Sequence, residues 1–416
     1  MATATSSQHW VCLDCDWVVT EVSLVAGQQA QCPRCQHVIT KQGSAPLMHL
    51  LAYSITALVL LVFALQFPFL ALHRSGLHEQ MWLLDSVTEL VSEQRSLLSI
   101  LVLLTTLVLP ALYLLAALMM TALMLLQRAI PWVRYLARVL VSLRRWLMAD
   151  VFLIGALISI VKLSSYASVS LQPAFYFFSG FVVVLLLIRA QLDEAWLWQQ
   201  LPPLGTEPAA VSAKTAHQQQ GVGCVCCHAF NRNNQRYCWR CGEWLALSRW
   251  RHPLLTLALL LAATAFLVPA NVLPMIETLR LGQLSQATIT GGVIQLWQQG
   301  DQPIAAVIFI ASLVIPIAKI LLLLGLLYWS KRSAPTAPYS QRMRVFRLTE
   351  WVGRWSMIDI FVVAILIALV RLGALMSIYS GAAALAFASV VVLTMLAAMS
   401  FDRRRIWWAA EEAKSD

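Results

Sequence analysis

Trp146, Asp150 and Lys162 return 209 residues later as Trp355, Asp359 and Arg371 (355−146, 359−150 and 371−162 all equal 209). The acidic residue of each set opens a long apolar run, Asp150-Val151-Phe152 in one and Asp359-Ile360-Phe361 in the other. Pro274 and Pro316 likewise stand 206 residues after Pro68 and Pro110. An internal duplication of this extent leaves few folds open, because whatever the first half builds the second must build again.

The copied unit reads as a membrane unit. Of 416 residues, 59% are hydrophobic and only 12% charged, which suits a polytopic membrane protein better than a large soluble core. Apolar runs cover about Pro46 to Leu72, Ser96 to Leu126, the stretch bearing Asp150 and Lys162, and Pro173 to Leu192, then residues near 253–276, 303–329, 355–375 and 381–400. The predicted fold is therefore all-α, with eight transmembrane helices in two tandem repeats. The second run, which contains Pro110, is longer than a bilayer at roughly 1.5 Å per residue and is expected to tilt, kink or project into the cytoplasm.

Basic residues gather at the ends of apolar runs: Arg128, Arg134, Arg138, Arg144 and Arg145, then Lys331, Arg332, Arg342, Arg344 and Arg347, then Arg403 to Arg405. Such clusters mark cytoplasmic loops, so the excess of 30 basic over 20 acidic residues speaks for topology and not for nucleic acid. The first 46 residues are polar and Cys-rich, unlike a cleavable signal peptide. Both termini are expected in the cytoplasm, and the repeats are parallel because each makes an even number of crossings. The stretches His73 to Arg95 and Glu277 to Gln302 then face the other side. The second of these, with Thr288, Thr290, Gly291, Gly292 and Asp301, is a candidate docking surface.

Each repeat opens on cysteines. Cys12, Cys15, Cys32 and Cys35 form two C-x2-C pairs 16 residues apart, and Cys224, Cys227, Cys238 and Cys241 form two more, 10 apart. Four thiolates at this spacing suit one tetrahedral zinc, giving two structural ions with no open position for catalysis. Rubredoxin-like iron is an alternative, while disulfides and redox work sit poorly with a reducing compartment. Cys226 or His228 can compete in the second set, although the spacing favours Cys224 with Cys227. The predicted organisation is a zinc ribbon at 1–46, a four-helix module at 47–198, a polar linker at 199–223, a second ribbon at 224–250, a second module at 251–402 and a tail at 403–416.

Lys319 has no counterpart in the first half, where Tyr113 stands. Ten residues from Trp329, it lies roughly 15 Å deep by helix rise. An ionisable group at such depth faces a bundle interior, a partner or a water path, or it snorkels. Ser356, Asp359 and Thr394 are the candidate companions in one polar cluster. Arg371 cannot pair with Asp359 along one helix, being about 120° round and about 18 Å away. Arg371 and Lys162 fit the far headgroup region, and Asp150 and Asp359 are equally accounted for by favourable helix N-terminal placement.

Two cysteine ribbons each preceding four helices, with Pro269-Ala270-Asn271-Val272-Leu273-Pro274 and Gly353-Arg354-Trp355-Ser356-Met357-Ile358-Asp359, resemble the paraquat-inducible protein A family of inner-membrane proteins. Within that family the likeness is nearer the PqiA type than the LetA type. The resemblance implies tetraspanin-like four-helix modules and lipid transport between the membranes of a Gram-negative envelope. It further implies an MCE-domain partner of the PqiB or LetB type forming a periplasmic tunnel, phospholipid as cargo, and an outer-membrane lipoprotein in the same system. Lys319, Ser356, Asp359 and Thr394 would be its proton-linked or lipid-contacting switch. Two other readings stand beside it, a secondary transporter or efflux pump for small molecules, and a scaffold whose ribbons sense zinc or redox state. No P-loop, Ser-His-Asp or H-E-x-x-H arrangement is present, so an enzyme is not expected.

Overall fold

A computed structural model describes residues 9–20, 27–41, 47–74, 77–92, 96–126, 130–164, 168–245, 253–280, 283–298, 300, 302–329, 339–355, 357–369, 376–405 and 407. The first ribbon is two hairpins, β1 (His9–Val11) with β2 (Val18–Thr20) and β3 (Gln29–Gln31) with β4 (Val38–Lys41). The first membrane half follows as α1 (Leu47–Gln66), β5 (Leu70–Arg74), β6 (Leu77–Met81), α2 (Asp85–Ser92), α3 (Ser96–Leu103), α4 (Leu109–Leu125), α5 (Ile130–Leu143), α6 (Ala149–Ser164), β7 (Ser168–Leu171), α7 (Pro173–Gln191) and α8 (Glu194–Gln199). The second ribbon contributes β8 (Gly221–Gly223) and β9 (Phe230–Arg232). Its membrane half is α9 (Pro253–Val272), β10 (Ile276–Arg280), β11 (Gln283–Ala287), α10 (Ile289–Gln298), α11 (Gln302–Phe309), α12 (Ile315–Trp329), α13 (Tyr339–Trp355), α14 (Ile358–Leu369), β12 (Met376–Ser380) and α15 (Ala382–Ser400).

Elements recur at the offsets seen in the sequence. Both ends of α9, β10 and β11 fall 206 residues after those of α1, β5 and β6 (253−47 and 272−66, for α9), and both ends of α15 fall 209 after those of α7 (382−173, 400−191). Even a local irregularity is repeated: single π turns occupy Leu104–Val108 and Ile310–Val314. Each lies just ahead of a proline, Pro110 or Pro316. Proline lacks an N–H and its ring crowds the carbonyl four residues back, at Thr106 or Ser312, so the helix widens by one residue. Ser96–Leu125 runs on through this turn as one apolar helix of 30 residues.

The chain is mostly helical but not purely so. Away from the ribbons each half carries a three-stranded antiparallel sheet, β6-β5-β7 and β11-β10-β12. The polar stretch after α1 is therefore a hairpin followed by the short α2, and β7 returns from α6 to pair with β5.

Among the described residues six helices are long and apolar enough to cross a membrane: Leu47–Gln66, Ser96–Leu125, Pro173–Gln191, Pro253–Val272, Ile310–Trp329 and Ala382–Ser400. The other two of the eight expected crossings correspond to α6 and α14, of which 16 and 12 residues are described. Every residue from Ile360 to Ile367 is buried, and α14 packs chiefly against α6 and α2 of the first half.

At this contact Phe152 meets Phe361 edge-on, ring centres 5.5 Å apart. Gly155 is what allows the close approach, since a Cβ there would lie 3.1 Å from the Phe361 Cβ. We expect Gly155→Val to overpack the seam and cost about 1–3 kcal/mol, read as a lowered unfolding temperature of the detergent-solubilised chain. An unchanged melt would show the seam to be loose.

The apolar core is crossed. One cluster joins the first membrane half, α14 and the first part of α15 to the second ribbon, including Cys224, Cys227, Trp239 and Leu245. The other joins the first ribbon, including Trp10, Cys12, Cys15 and Ile39, to the second half through Leu260, Leu323, Phe346 and Phe401. Each ribbon is thus built into the core of the half it does not precede. Residues expected to form a polar linker act as a strap instead. Val18 N–H donates to the Lys214 carbonyl (2.9 Å) and Ala216 N–H to that of Asp16 (2.8 Å), while Gly205 N–H reaches Trp239 in the second ribbon (2.9 Å).

Candidate metal centres and a cationic cavity

All four C-x2-C pairs close the same turn. The residue after the second cysteine, Asp16, Gln36, His228 or Gly242, donates its N–H to the first cysteine's carbonyl at 2.9, 2.9, 3.0 and 2.9 Å. Each of these residues is left-handed, with φ of 63°, 58°, 62° and 73°. Glycine enters that region freely, and Asp and His are enriched there among other residues. Backbone conformation therefore accounts for His228 without ligation.

Within each quartet the Sγ atoms all lie within 4.8 Å of one another. Cys12 to Cys35 and Cys15 to Cys32 are 3.5 Å, Cys224 to Cys241 is 3.6 Å and Cys227 to Cys238 is 3.5 Å. A tetrahedral ion with bonds of about 2.3 Å sets sulfurs roughly 3.8 Å apart, so each quartet fits one thiolate-bound ion. The second quartet is Cys224, Cys227, Cys238 and Cys241; Cys226 is buried beside it but outside it.

Asp14, between two ligand cysteines, fastens the first ribbon to the second half. Its fully buried carboxylate accepts from Arg347 (Nη2, 2.7 Å) and Arg403 (Nη1, 3.1 Å), with His37 Nδ1 at 3.2 Å. Burial pushes this carboxyl up, but the fields of His37, Arg403 and Arg347 more than offset it and hold the group below the usual carboxylate range. Arg403 also donates to Glu350 (3.2 Å) and lies 4.9 Å from the centre of the Phe346 ring. Nearby, Arg34 stacks on Trp17 and Trp407 at 5.2 and 4.9 Å. The second ribbon is held differently: Arg138 donates to the Gly242 carbonyl (3.4 Å) and Arg240 to that of Trp198 (3.1 Å).

Lys319, on α12, is 2% exposed. It lines a cavity of about 70 Å³ whose other polar groups are Arg145 and Glu350, and whose apolar wall includes Met148, Met395 and Met399. Gly353 on α13 forms the bed on which the lysine lies, since a Cβ there would be 2.8 Å from Nζ and 2.9 Å from Cε. Among the described residues Glu350 is the one carboxylate on the wall, and Arg403 already engages it. The cavity is cationic on balance. In the first half Tyr113 is equally buried, and its hydroxyl has no hydrogen-bond partner among the described residues.

Of the other expected site residues, Thr394 is buried on α15 and its hydroxyl donates to the Val391 carbonyl of its own helix (3.0 Å). Asp150 and Asp359 occupy the first turns of α6 and α14. Ser356 and Arg371 lie outside the described residues, as do the side chains of Asp359 and Lys162. Arg145, Glu350, Gly353 and Asp14 were not singled out from sequence. Arg145 was hidden among charges assigned to topology, Asp14 inside a metal knuckle and Gly353 at the edge of the Gly353–Asp359 motif.

The sequence profile of the paraquat-inducible protein A family matches residues 47–202 and again 255–411. Over 415 residues, 99% of this chain and 98% of the relative, the chain is 37% identical to the intermembrane transport protein PqiA of Escherichia coli strain K12. It is 29% identical over 412 residues (95% of each) to a probable intermembrane transport protein of Haemophilus influenzae. It is 28% identical over 406 residues (97% of this chain, 92% of the relative) to the lipophilic envelope-spanning tunnel protein A of E. coli K12. No solved structure matches.

Proposed function

The chain belongs to the paraquat-inducible protein A family, and from that premise we propose that it is an inner-membrane subunit of an intermembrane lipid transport system. It would load or unload phospholipid at the base of a tunnel formed by an MCE-domain partner. Two parallel repeats of four crossings, with both termini and both ribbons in the cytoplasm, are the arrangement we infer. The paired match of the family profile, the recurring elements and the meeting of Phe152 with its repeat equivalent Phe361 support it. We infer zinc in both quartets; when bound it supplies folding free energy and no open coordination position.

One observation carries the transport reading. A buried lysine, bedded on a glycine and walled by methionines, opens to a cavity with a second cation at Arg145 and a carboxylate already engaged elsewhere. Burying an ionisable group at membrane depth is costly, and such groups are retained where they handle a charge. A phosphate head on an apolar tail is complementary to this lining. Ser356, Asp359 and Thr394 complete the proposed cluster, with Asp150, Lys162 and Arg371 as secondary positions.

Purifying the chain from native membranes with its MCE-domain partner, and extracting the bound lipid for mass spectrometry, tests the reading. Co-purification with stoichiometric phospholipid is expected. Recovery of the chain alone, with a water-soluble small molecule as its specific cargo, would replace this reading with a secondary transporter. Gly353→Ala tests the cavity itself: the added methyl meets only the flexible lysine head. We therefore expect a stability change below about 1.5 kcal/mol but loss of complementation in a strain lacking its own relatives. Full complementation would show that the seating of Lys319 against Gly353 of α13 is unimportant.

A further inference from the structure

Two ion pairs in series lead from the knuckle of the first metal centre to the wall of the Lys319 cavity. Asp14, in the knuckle between Cys12 and Cys15, holds Arg403 at 3.1 Å. Arg403 holds Glu350 at 3.2 Å, and Glu350 is a wall of the cavity that contains Lys319. A second route reaches the same helix, because Asp14 also holds Arg347 at 2.7 Å, three residues before Glu350 on α13. Phe346, Glu350 and Gly353 share one face of α13 by their spacing of four and three residues. That face meets Arg403 at one end and the lysine at the other. Among the described residues nothing comparable leaves the second ribbon, whose arginine contacts run to backbone carbonyls. The arrangement is therefore not a generic way of seating a ribbon.

Glu350 is engaged by one cation, Arg403, and shares a cavity wall with a second, Lys319. With an ion in the first quartet the Asp14 loop is fixed, Arg403 is aimed, and Glu350 is held on Arg403 at the cavity wall, leaving Lys319 without that carboxylate as its partner. Loosening the loop frees Arg403, and Glu350 can swing to Lys319 and neutralise it. We propose that metal occupancy of the first ribbon regulates the Lys319 cavity through competition between Arg403 and Lys319 for Glu350. This rests on reading that cavity as the transport site, and it adds a regulator that acts from the cytoplasmic ribbon.

Linkage makes the test independent of transport, because coupling between two sites is reciprocal: the cavity must in turn affect the metal. The full-length chain, purified in detergent with both quartets loaded with zinc, is challenged with a chelator. Release is timed, and alkylation of the freed cysteines followed by mass spectrometry assigns each phase to its ribbon. Glu350→Gln touches no ligand, yet should speed release from the first ribbon about fivefold or more while leaving the second unchanged. Combining it with Arg403→Ala should add little beyond Arg403→Ala alone, as for members of one network. Lys319→Met carries the opposite sign: removing the competing cation should slow first-ribbon release, an effect that general loosening cannot produce. The proposal is overturned if Glu350→Gln leaves first-ribbon release unchanged or speeds both phases alike, or if Lys319→Met releases at or above the wild-type rate. Should Lys319→Met retain full transport, the transport reading falls, while the release rates still decide whether ribbon and cavity are coupled.

Discussion

Cys224→Ser combined with Cys227→Ser is expected to lower bound zinc from two ions per chain to one and to cut membrane abundance at least tenfold. The second quartet is woven into the larger apolar core. Its Trp239 anchors the strap through Gly205 (2.9 Å) and donates from Nε1 to the Phe230 carbonyl (2.7 Å). Apparent binding free energies of structural zinc run to about 10–16 kcal/mol, against roughly 5–15 kcal/mol for the net stability of a domain. Losing one ion is thus comparable with losing the whole margin. Elemental analysis of the purified chain and an immunoblot of membranes read the two quantities. Two ions retained, or wild-type abundance with one, would show that the quartet is not a structural metal centre. Cys226→Ser is the matched control. Its sulfur lies outside the quartet, so the metal count should stay at two.

How far the sequence led depended on the range of the interaction. The offsets of 206 and 209 and the cysteine spacing are local or repeated signals, and both reappear as elements and quartets. The crossed seating of the ribbons was not legible, because it hangs on Asp14 meeting Arg347 and Arg403, partners 333 and 389 residues away. Those arginines sit in basic clusters that topology alone explains, and no spacing rule picks two of them out. For the same reason Glu350 and Arg145, which line the cavity of Lys319, are not legible in the sequence as its neighbours. The far-end sheets were missed because their strands of four or five residues carry little periodicity. Residues 199–223 read as a linker because the strap is held by backbone hydrogen bonds, to which composition is blind.

Lys319→Met is expected to abolish complementation while leaving the chain as abundant and as stable as wild type, and the two halves of that expectation have separate causes. Removing one member of a buried ion pair usually strands its partner and costs about 3–5 kcal/mol. Here Glu350 keeps Arg403 at 3.2 Å, so no charge is stranded, and a methionine of similar length joins Met148, Met395 and Met399 on the wall. Replacing a desolvated charge by a packed apolar group is often neutral or stabilising by about 1–4 kcal/mol. What disappears is the buried cation on α12, and with it the charge that the proposed function assigns to receiving a phosphate head. Lys319→Arg should fail as well, because the planar, broader guanidinium cannot reproduce the compact ammonium lying against Gly353. Tyr113→Phe, at the equivalent place in the first half, deletes only a hydroxyl that has no hydrogen-bond partner among the described residues and should be silent. Asp359→Ala should behave as Lys319→Met does if its carboxylate belongs to the same cluster. Envelope permeability in a strain lacking its own relatives, scored beside an immunoblot, separates the outcomes. Complementation by Lys319→Met at wild-type level would remove the cavity from the mechanism, and failure with vanishing protein would assign the lysine to folding instead.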